Sequence, residues 1–472
     1  MFNIIISVIR SKFVALLLGP SGMGITGLLT STATFITYLT NFGLGTSGVK
    51  SVASAESTGD HERVTVVVSV LKKLVWITGT LGMGLTIILA PWLSELTFGD
   101  RTYTYAFIWI SVTLLFQQLT SGELAILQGL RKLQYLAKAN VMGSLIGLIF
   151  SIPVYYYFRL DGIVPVIILS SLISMFLTWF YARKVKIKRV EVNRNSTLTE
   201  GKSMIKMGFI LSLSGLITIG VSYIVRIYIS NTGGVEQVGF YNAGFAIITT
   251  YVGMVFSAMS TDYFPRLSAI AHDNQKTQEL VNQQAEVALL VLSPILTVFL
   301  TFINWIIIIL YSDEFIAVNG MINWAALGMY FKAASWAIAF ILLAKGDSNL
   351  YFWNELLGNI YVLFSSIIGY RMAGLEGIGQ AFVLSNIVYF VQVFIVAKFR
   401  YSFKFDIAFG KLAGIQIAIG LLCFAIMRTI QSPFSHIVGA ILIIISGWFS
   451  IKELNKRIDL LSILKIKINP KR

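Results

Sequence analysis

Positively charged side chains inside apolar stretches are the residues of this sequence that could do chemistry. Arg10, Lys12, Arg226 and Lys332 each lie within a run of mostly apolar residues. A charge within a membrane-spanning segment is costly, so such a residue usually has either a function or a partner. Because all four are cations, we interpret them as candidates for binding an anion. The alternative is that each pairs with an acid for packing or extends to the membrane interface.

Three further charged residues lie within or beside the apolar runs. Lys50 follows a glycine-rich stretch at the inner end of the second run. It could meet an anion at the cytoplasmic mouth, or simply reflect the positive charge that inner loops carry. Glu123 and Glu355 are the acids within runs, and each could bind a coupling H⁺ or Na⁺. We favour the other interpretation, in which each neutralises a nearby Lys or Arg.

The sequence shows no pattern of an enzyme. The three histidines, His61, His272 and His436, are scattered, and no nucleophile lies near a base or a metal-ligand set. Gly22-Met23-Gly24 lies in an apolar turn and not after a strand, so it is not a nucleotide-binding loop. One cysteine excludes an intrachain disulfide. We therefore expect no catalytic residue, no metal and no cofactor.

The elements that must position these charges are membrane-spanning helices. Of 472 residues, 56% are hydrophobic and 12% are charged, which is too few charges for a soluble protein of this size. Apolar runs of about 20 residues recur along the chain, as in helical membrane proteins. We predict an all-α polytopic fold with fourteen segments, whose boundaries are roughly 1–18, 21–45, 68–93, 103–128, 137–158, 162–181, 205–229, 237–260, 284–311, 317–344, 350–370, 375–397, 407–428 and 434–451.

The net charge of +15 is distributed as a membrane requires. With the N-terminus in the cytoplasm, 29 Lys and Arg residues fall on the inner side and four on the outer side. This asymmetry predicts that both termini are cytoplasmic, and it explains the positive charge without nucleic acid. The outer loops are too short to hold a catalytic domain.

The predicted segments group into two bundles. Residues 1–181 form an N-terminal six-helix bundle, a polar cytoplasmic linker covers 182–204, and residues 205–398 form a second six-helix bundle. Two extra helices follow in 399–451. The basic segment 452–472 would lie along the anionic inner leaflet.

An internal repeat supports this division. The opening stretch SVIRSKFVALLLGPSGMG returns as SYIVRIYISNTGGVEQVG, and Arg10 precedes Gly24 at nearly the same spacing as Arg226 precedes Gly239. Three further matches, among them Arg159 with Arg371, recur at nearly the offset that separates the two glycines. Six helices per half give both halves the same orientation. Such parallel halves enclose a central cavity that can open to alternate sides of a membrane.

Several of these motifs resemble a known family. They are the GPSG turn, NFGLGTSGVKSVASA from Asn41, VRIYISNTGGVEQVGFYNAG from Val225, FPRLSAIAHDN from Phe264 and FILLAKGDSNLYFWNELLGN from Phe340. The sequence resembles the oligosaccharide-lipid flippases of the multidrug/oligosaccharidyl-lipid/polysaccharide (MOP) exporter superfamily over about residues 1 to 400. The branch that it resembles most is the O-antigen and enterobacterial-common-antigen translocases. The resemblance includes Arg226 and Lys332, and departs in having fourteen segments where twelve are common.

The resemblance implies a flippase of a bacterial inner membrane, acting on an undecaprenyl-diphosphate-linked oligosaccharide. Arg10, Arg226 and Lys332 would form a cationic cavity for the diphosphate, since arginine donates bidentate hydrogen bonds to such groups. An alternative is a cation-coupled multidrug exporter of the same superfamily, which would prefer an acidic cavity. A membrane polymerase or ligase is a third class, which would need a large outer loop.

Overall fold

The computed structural model describes residues 2–185 and 194–458, and every regular element among them is helical. Most of the predicted linker falls within these ranges, but its residues 186–193 lie outside the described chain, as do residues 459–472 of the basic tail. The α-helices, in chain order, are α1 Phe2–Thr40, α2 Leu44–Ser57, α3 His61–Phe98, α4 Thr104–Gly129, α5 Leu133–Phe158, α6 Ile163–Arg183, α7 Arg194–Gly233, α8 Val235–Phe245, α9 Met254–Ala269, α10 Asn274–Leu310, α11 Asn319–Ala344, α12 Ser348–Tyr401, α13 Ile407–Thr429 and α14 Phe434–Ile458.

Among the described residues, eleven helical tracts are long and apolar enough to cross a membrane. Three of them, Phe2–Thr40, Leu133–Arg183 and Ser348–Tyr401, each hold two of the predicted segments on either side of a break. Each of the fourteen predicted segments therefore corresponds to a helix, which confirms the predicted all-α polytopic fold.

Glycine produces two of the three breaks. Gly19 has φ +66° and ψ −168°, which ends the first segment of α1, and Pro20 then begins the second. In α12 the break falls at Ala373 and Gly374, where Gly374 has φ +57°. A Cβ on Gly369 would lie 2.3 Å from the carbonyl oxygen of Gly377, so the two halves of α12 fold back on each other as a hairpin.

Large apolar side chains cover the outside of the helices. Trp109, Ile88 and Phe364 are each at least 60% exposed. In water such a surface would be unfavourable, whereas in a bilayer it contacts hydrocarbon. The arrangement agrees with a multi-pass membrane protein.

The chain forms two compact units. The first contains Met1–Phe240 with Leu310–Glu314, and the second contains Tyr241–Ile309 with Phe315–Arg472. These boundaries follow packing, whereas the predicted bundles 1–181 and 205–398 follow the sequence repeat and remain a prediction.

In the first unit, α7 runs antiparallel along the second segment of α1. At one end a Cβ on Gly43 would lie 2.0 Å from the carbonyl oxygen of Gly208, so the two backbones touch. Further along, Thr32 bonds with the hydroxyl of Tyr223 at 3.1 Å. These contacts place α7 in the first unit.

In the second unit, α13 and α14 are fixed to α10. The side chain of Asn282 bonds with the backbone of Lys404 and Asp406, just before α13 begins. Near the end of α14, Arg457 forms an ion pair with the buried carboxylate of Glu286. The two extra C-terminal helices are thus part of this unit.

Candidate functional site

Arg10 lies on the first segment of α1 and faces α5. Its Nη2 donates to the carbonyl oxygen of Ser144 at 3.4 Å, and Nη2 lies 3.1 Å from where a Cβ on Gly147 would be. A larger residue than glycine at position 147 would therefore crowd the guanidinium. Its Nε is buried and has no hydrogen-bond partner among the described residues. Within those residues, no carboxylate forms a salt bridge with Arg10.

Lys12 is two residues further along the same helix. Two residues correspond to a rotation of about 200°, so Lys12 points away from the face that carries Arg10. Its Nζ donates to the carbonyl oxygen of Tyr311, in the short segment Leu310–Glu314 of the first unit. The two cations therefore do not share a binding surface in this conformation.

Arg226 lies on α7 and is half-buried. Its Nη1 donates to the carbonyl oxygen of Ser222 at 2.9 Å and also to the Ser222 hydroxyl. One turn earlier, the hydroxyl of Tyr223 bonds with Thr97 on α3 at 2.8 Å. This part of α7 is therefore held firmly in the first unit.

Arg10 and Arg226 lie at a similar depth. Arg10 is nine residues before Gly19, and Arg226 is seven before Gly233, where their segments end. At 1.5 Å per residue, each is about 10–14 Å from that end. The stretches that follow these two ends touch, because a Cβ on Gly239 would lie 3.1 Å from the backbone nitrogen of Gly24. The similar depth is what the predicted repeat would give.

Lys50 and Glu123 lie elsewhere in the first unit. Lys50 is on the surface of the short helix α2, where it is exposed. The carboxylate of Glu123, on α4, forms an ion pair of 2.8 Å with Nζ of Lys72 on α3. A nearby lysine thus neutralises Glu123, which is the arrangement expected of a structural pair. It does not by itself test a role in coupling.

The second unit brings two of the predicted residues together. Lys332 on α11 interacts electrostatically with Glu355 on the first half of α12. The Lys332 Nζ also lies 5.7 Å from the centre of the Phe382 ring. No ion pair of hydrogen-bond length joins Lys332 and Glu355 among the described residues, so the ammonium has a counter-charge without being bound to it.

A polar network extends from Glu355 along the α12 hairpin. Tyr389 donates its hydroxyl proton to Oε1 of Glu355, and Asn354 donates to the Tyr389 oxygen at 3.2 Å. Gln392 in turn donates to the side-chain oxygen of Asn354 at 2.6 Å. The Gln392 Oε1 is buried with no hydrogen-bond partner among the described residues. The network therefore has an ammonium at one end and an unused acceptor at the other.

The Lys332 ammonium and the Glu355 carboxylate can each exchange their present counter-charge for that of a bound ion. An anion that binds the Lys332 ammonium would balance its charge in place of Glu355, and the carboxylate would keep the Tyr389 hydrogen bond or take up a cation. The chemistry that these charged and polar groups offer is ion binding. In the first unit, Arg10 offers a guanidinium with an unused N–H to the same class of ligand.

Asn354, Tyr389 and Gln392 are not among the residues predicted from the sequence. A signal was present, because Asn354 is adjacent to Glu355, and Tyr389 and Gln392 lie three residues apart in an apolar run. Three residues bring them to the same helix face. Only the hairpin shows that this face meets Glu355.

Comparison with known proteins gives a family and a fold. The model of a family described as polysaccharide biosynthesis protein matches residues 13–319. A curated relative named lipid III flippase, from Escherichia coli strain K12, is 22% identical over 386 residues, which is 80% of this chain and 91% of the relative.

Two solved structures share the fold. One is an inward-facing conformation of a multidrug resistance MATE family transporter of the MOP superfamily, with a TM-score of 0.73 and 15% identity over 87% of this chain and 96% of that one. The other is the lipid II flippase MurJ in an inward closed conformation, with a TM-score of 0.66 and 15% identity over 98% of both chains. Both likenesses concern the fold, and they confirm the all-α polytopic architecture predicted from the sequence.

Proposed function

The chain belongs to the polysaccharide biosynthesis protein family, and from this membership we propose that it is a flippase for a lipid-linked oligosaccharide. The observation that carries the proposal is the half-buried guanidinium of Arg10, which has an unused Nε–H and no acidic partner among the described residues. An uncompensated cation in a membrane helix is retained at a cost, and an anionic ligand would offset that cost.

The proposed ligand is an undecaprenyl-diphosphate-linked oligosaccharide of the O-antigen type. Arg10 and Arg226 of the first unit would bind its diphosphate, and Lys332 of the second unit is a separate candidate for the same group. Their charge would offset the cost of moving a charged, hydrated group across hydrocarbon, while the prenyl tail stays in lipid. Lys50, exposed on α2, would meet the diphosphate first. Rocking of the two repeat halves would move the lipid-linked oligosaccharide from the cytoplasmic to the outer leaflet.

We propose that Glu355 responds to the ligand. When a phosphate oxygen binds the Lys332 ammonium, the Glu355 carboxylate loses its counter-charge and gains affinity for H⁺ or Na⁺. The Tyr389 hydroxyl and the spare Gln392 acceptor support this role, because they offer a cation further polar contacts. Glu123 is the less suitable candidate for ion coupling, since Lys72 already pairs with it.

A bacterial inner membrane with both termini in the cytoplasm is the proposed location. The inner excess of Lys and Arg supports this orientation. A reporter that fluoresces only in the cytoplasm, fused after Arg472, should fluoresce. A fusion that is active only outside the cytoplasm would contradict the orientation.

The alternative is a cation-coupled multidrug exporter, the activity named for one solved structure of this fold. An identity of 15% supports the fold alone. Within the predicted spans the cations outnumber the acids, which argues against the acidic cavity that an exporter would prefer. A positive drug-efflux assay, with no movement of lipid-linked sugar, would favour the exporter.

The deciding experiment compares Arg226→Ala with Arg226→Lys in vesicles that contain equal amounts of protein. The readout is the movement of a fluorescent undecaprenyl-diphosphate oligosaccharide between leaflets. We expect Arg226→Ala to lose at least tenfold in rate and Arg226→Lys to keep part of it, because the charge remains. Unchanged movement in Arg226→Ala would remove this residue from the mechanism. No movement with the unaltered protein would overturn the proposed function.

A further inference from the structure

The first unit contains an open cleft between α4 and α6. Its volume is about 830 Å³, and its lining includes Ile25 and Leu29 of α1, which are both buried. The other apolar lining comes mainly from Ala106 and Trp109 of α4 and from the stretch of α6 between residues 163 and 172. Every lining residue belongs to the first unit, and none of them is a cation considered above as an anion ligand. The cleft is therefore a separate feature of this unit.

The cleft has the depth of one leaflet of a membrane. Its lining along α6 extends from Ile163 to Leu172, and nine residues of α-helix span about 14 Å. The hydrocarbon core of a bilayer is about 30 Å thick, so this is about half of it. Trp109 and Leu172 are 65% and 39% exposed, so the cleft is open to the surrounding lipid. Its length and apolar lining fit an acyl chain of a phospholipid.

The polar lining residues all precede a helix. Thr102 and Tyr103 come directly before α4, and Asp161 lies in the 3₁₀-helical turn Arg159–Gly162 that precedes α6. Because α4 and α6 are membrane-spanning helices, these positions lie at the ends of the spans. A ligand in the cleft would place its apolar part between the helices and its polar part at their ends.

The 3₁₀-helical turn offers one charge of each sign. The Asp161 carboxylate is exposed and forms no salt bridge with any described residue. In the same turn, Nη1 of Arg159 donates to the carbonyl oxygen of Leu17 at 2.9 Å. A guanidinium has five N–H donors, so Arg159 can also bind a further acceptor. Between the two, Leu160 packs with Cδ2 3.2 Å from where a Cβ on Gly22 would be, which fixes the turn.

We propose that the cleft binds a phospholipid of the ethanolamine type, with an acyl chain between α4 and α6 and the ammonium on Asp161. A primary ammonium donates N–H hydrogen bonds to a carboxylate and to a hydroxyl oxygen such as that of Thr102, whereas a choline group has no N–H to donate. The phosphate would bind Arg159. A glycerol phospholipid lacks the ammonium, and undecaprenyl diphosphate has only negative charge at its head, so neither would compensate the Asp161 carboxylate.

Lipid retention tests the choice of headgroup. The full chain would be reconstituted with equal amounts of ethanolamine, choline and glycerol phospholipids that have the same acyl chains, then extracted in mild detergent. Mass spectrometry would count the lipids that remain bound. We expect an excess of about tenfold for the ethanolamine lipid, because it alone makes the charge-assisted hydrogen bond to Asp161. Equal retention of the three lipids would overturn the proposal.

Neutralising the acid should remove the preference. Asp161→Asn should retain the three lipids about equally, since the amide has no charge for the ammonium. Asp100→Asn is the matched control, because Asp100 is an exposed acid just before α4 that does not line the cleft. We expect this control to keep the ethanolamine preference. A preference that persists in Asp161→Asn, or is lost equally in Asp100→Asn, would contradict the role of Asp161.

Filling the cleft should displace the lipid. Ala106→Phe adds a ring where the acyl chain would lie, so we expect about tenfold less bound ethanolamine lipid. Ile88→Phe is the matched control, because Ile88 on α3 is 77% exposed and does not line the cleft. Unchanged retention by Ala106→Phe would place the lipid elsewhere and overturn the proposal.

Tryptophan fluorescence tests the position of the acyl chain in the unaltered protein. The chain has nine tryptophans, so the signal of Trp109 is taken as the difference between this protein and Trp109→Phe. An ethanolamine lipid with a brominated acyl chain should quench that signal at least twofold more than a brominated glycerol lipid at the same mole fraction. Equal quenching would overturn selection by the headgroup. None of these experiments requires transport, so their outcome is independent of the proposed function.

Discussion

The hydroxyl of Tyr389 donates a hydrogen bond to the carboxylate of Glu355, across the two halves of the α12 hairpin. The same carboxylate is the counter-charge of Lys332 on α11. Glu355 therefore has two partners of different kinds, one neutral and one charged. An anion can replace it at Lys332 without leaving the carboxylate unsolvated, because the Tyr389 bond remains.

The charge of Lys332 should control ligand affinity. Removing a hydrogen bond to a charged group costs about 1.5–3 kcal/mol, which corresponds to roughly 10- to 100-fold in affinity. We expect Lys332→Ala to weaken undecaprenyl diphosphate binding to the purified protein by that factor. Lys332→Arg is the matched control and should retain most of the affinity. If Lys332→Ala binds undecaprenyl diphosphate as tightly as the unaltered protein does, the diphosphate does not bind Lys332.

Removing the competing charge should have the opposite effect. Glu355→Gln keeps the shape of the side chain but leaves Lys332 without its counter-charge, so we expect diphosphate to bind about tenfold more tightly. Transport should slow, because release becomes harder. Tyr389→Phe is the control, since it removes one hydrogen bond worth about 1 kcal/mol and no charge. If Glu355→Gln leaves the affinity unchanged, Lys332 and Glu355 do not compete.

We expect the charge of Arg10 to lower the stability of the protein and to support transport. Its guanidinium lacks an acidic partner among the described residues, so Arg10→Met removes a costly charge while keeping side-chain volume. We expect a Tm about 2 °C higher or more, together with at least tenfold slower transport. Arg101→Met should change neither, because that residue is an exposed partner of Glu95. A lower Tm with Arg10→Met would contradict the view that this charge is uncompensated.

The Lys72–Glu123 pair should contribute little to transport. Lys72 is 44% exposed, and pairs of this kind contribute about 0–1 kcal/mol. We expect Glu123→Gln to keep the transport rate within twofold and to shift the Tm only slightly. Lys72→Met should behave in the same way. A loss of tenfold or more in Glu123→Gln alone would restore Glu123 as a coupling residue.

The ion pair that holds α14 should matter for stability. Glu286 and Arg457 are 9% and 17% exposed, and breaking a buried pair by removing one partner costs about 3–5 kcal/mol. Arg457→Ala should therefore lower the Tm clearly, measured in detergent or nanodiscs. Lys456→Ala is the neighbouring control, because Lys456 is 59% exposed and should be tolerated. A normal Tm for Arg457→Ala would mean that α13 and α14 are held by apolar packing alone.

Pairing within the candidate site could be predicted from the sequence only in part. Lys332 and Glu355 are recognisable because a charge stands out in an apolar run: Lys332 is interpreted as a residue that binds an anion, and Glu355 as one that neutralises a nearby cation. The sequence does not show which partner each charged residue has. In the structure Glu123 pairs with Lys72 on the preceding helix. Glu355 accepts a hydrogen bond from Tyr389 and interacts electrostatically with Lys332. Such pairs depend on helix rotation and packing, which a single sequence does not specify.

The sequence by itself determined where the apolar helical segments lie, the positions of the cations and the repeat of Gly24 as Gly239. Insertion into a membrane depends on the local hydrophobicity of each segment, so these features can be predicted run by run. Only the tertiary structure decided that α7 packs along α1, that Tyr389 reaches Glu355 and that the two repeated glycines touch. These contacts join residues that are far apart in the chain, and packing between helices brings them together.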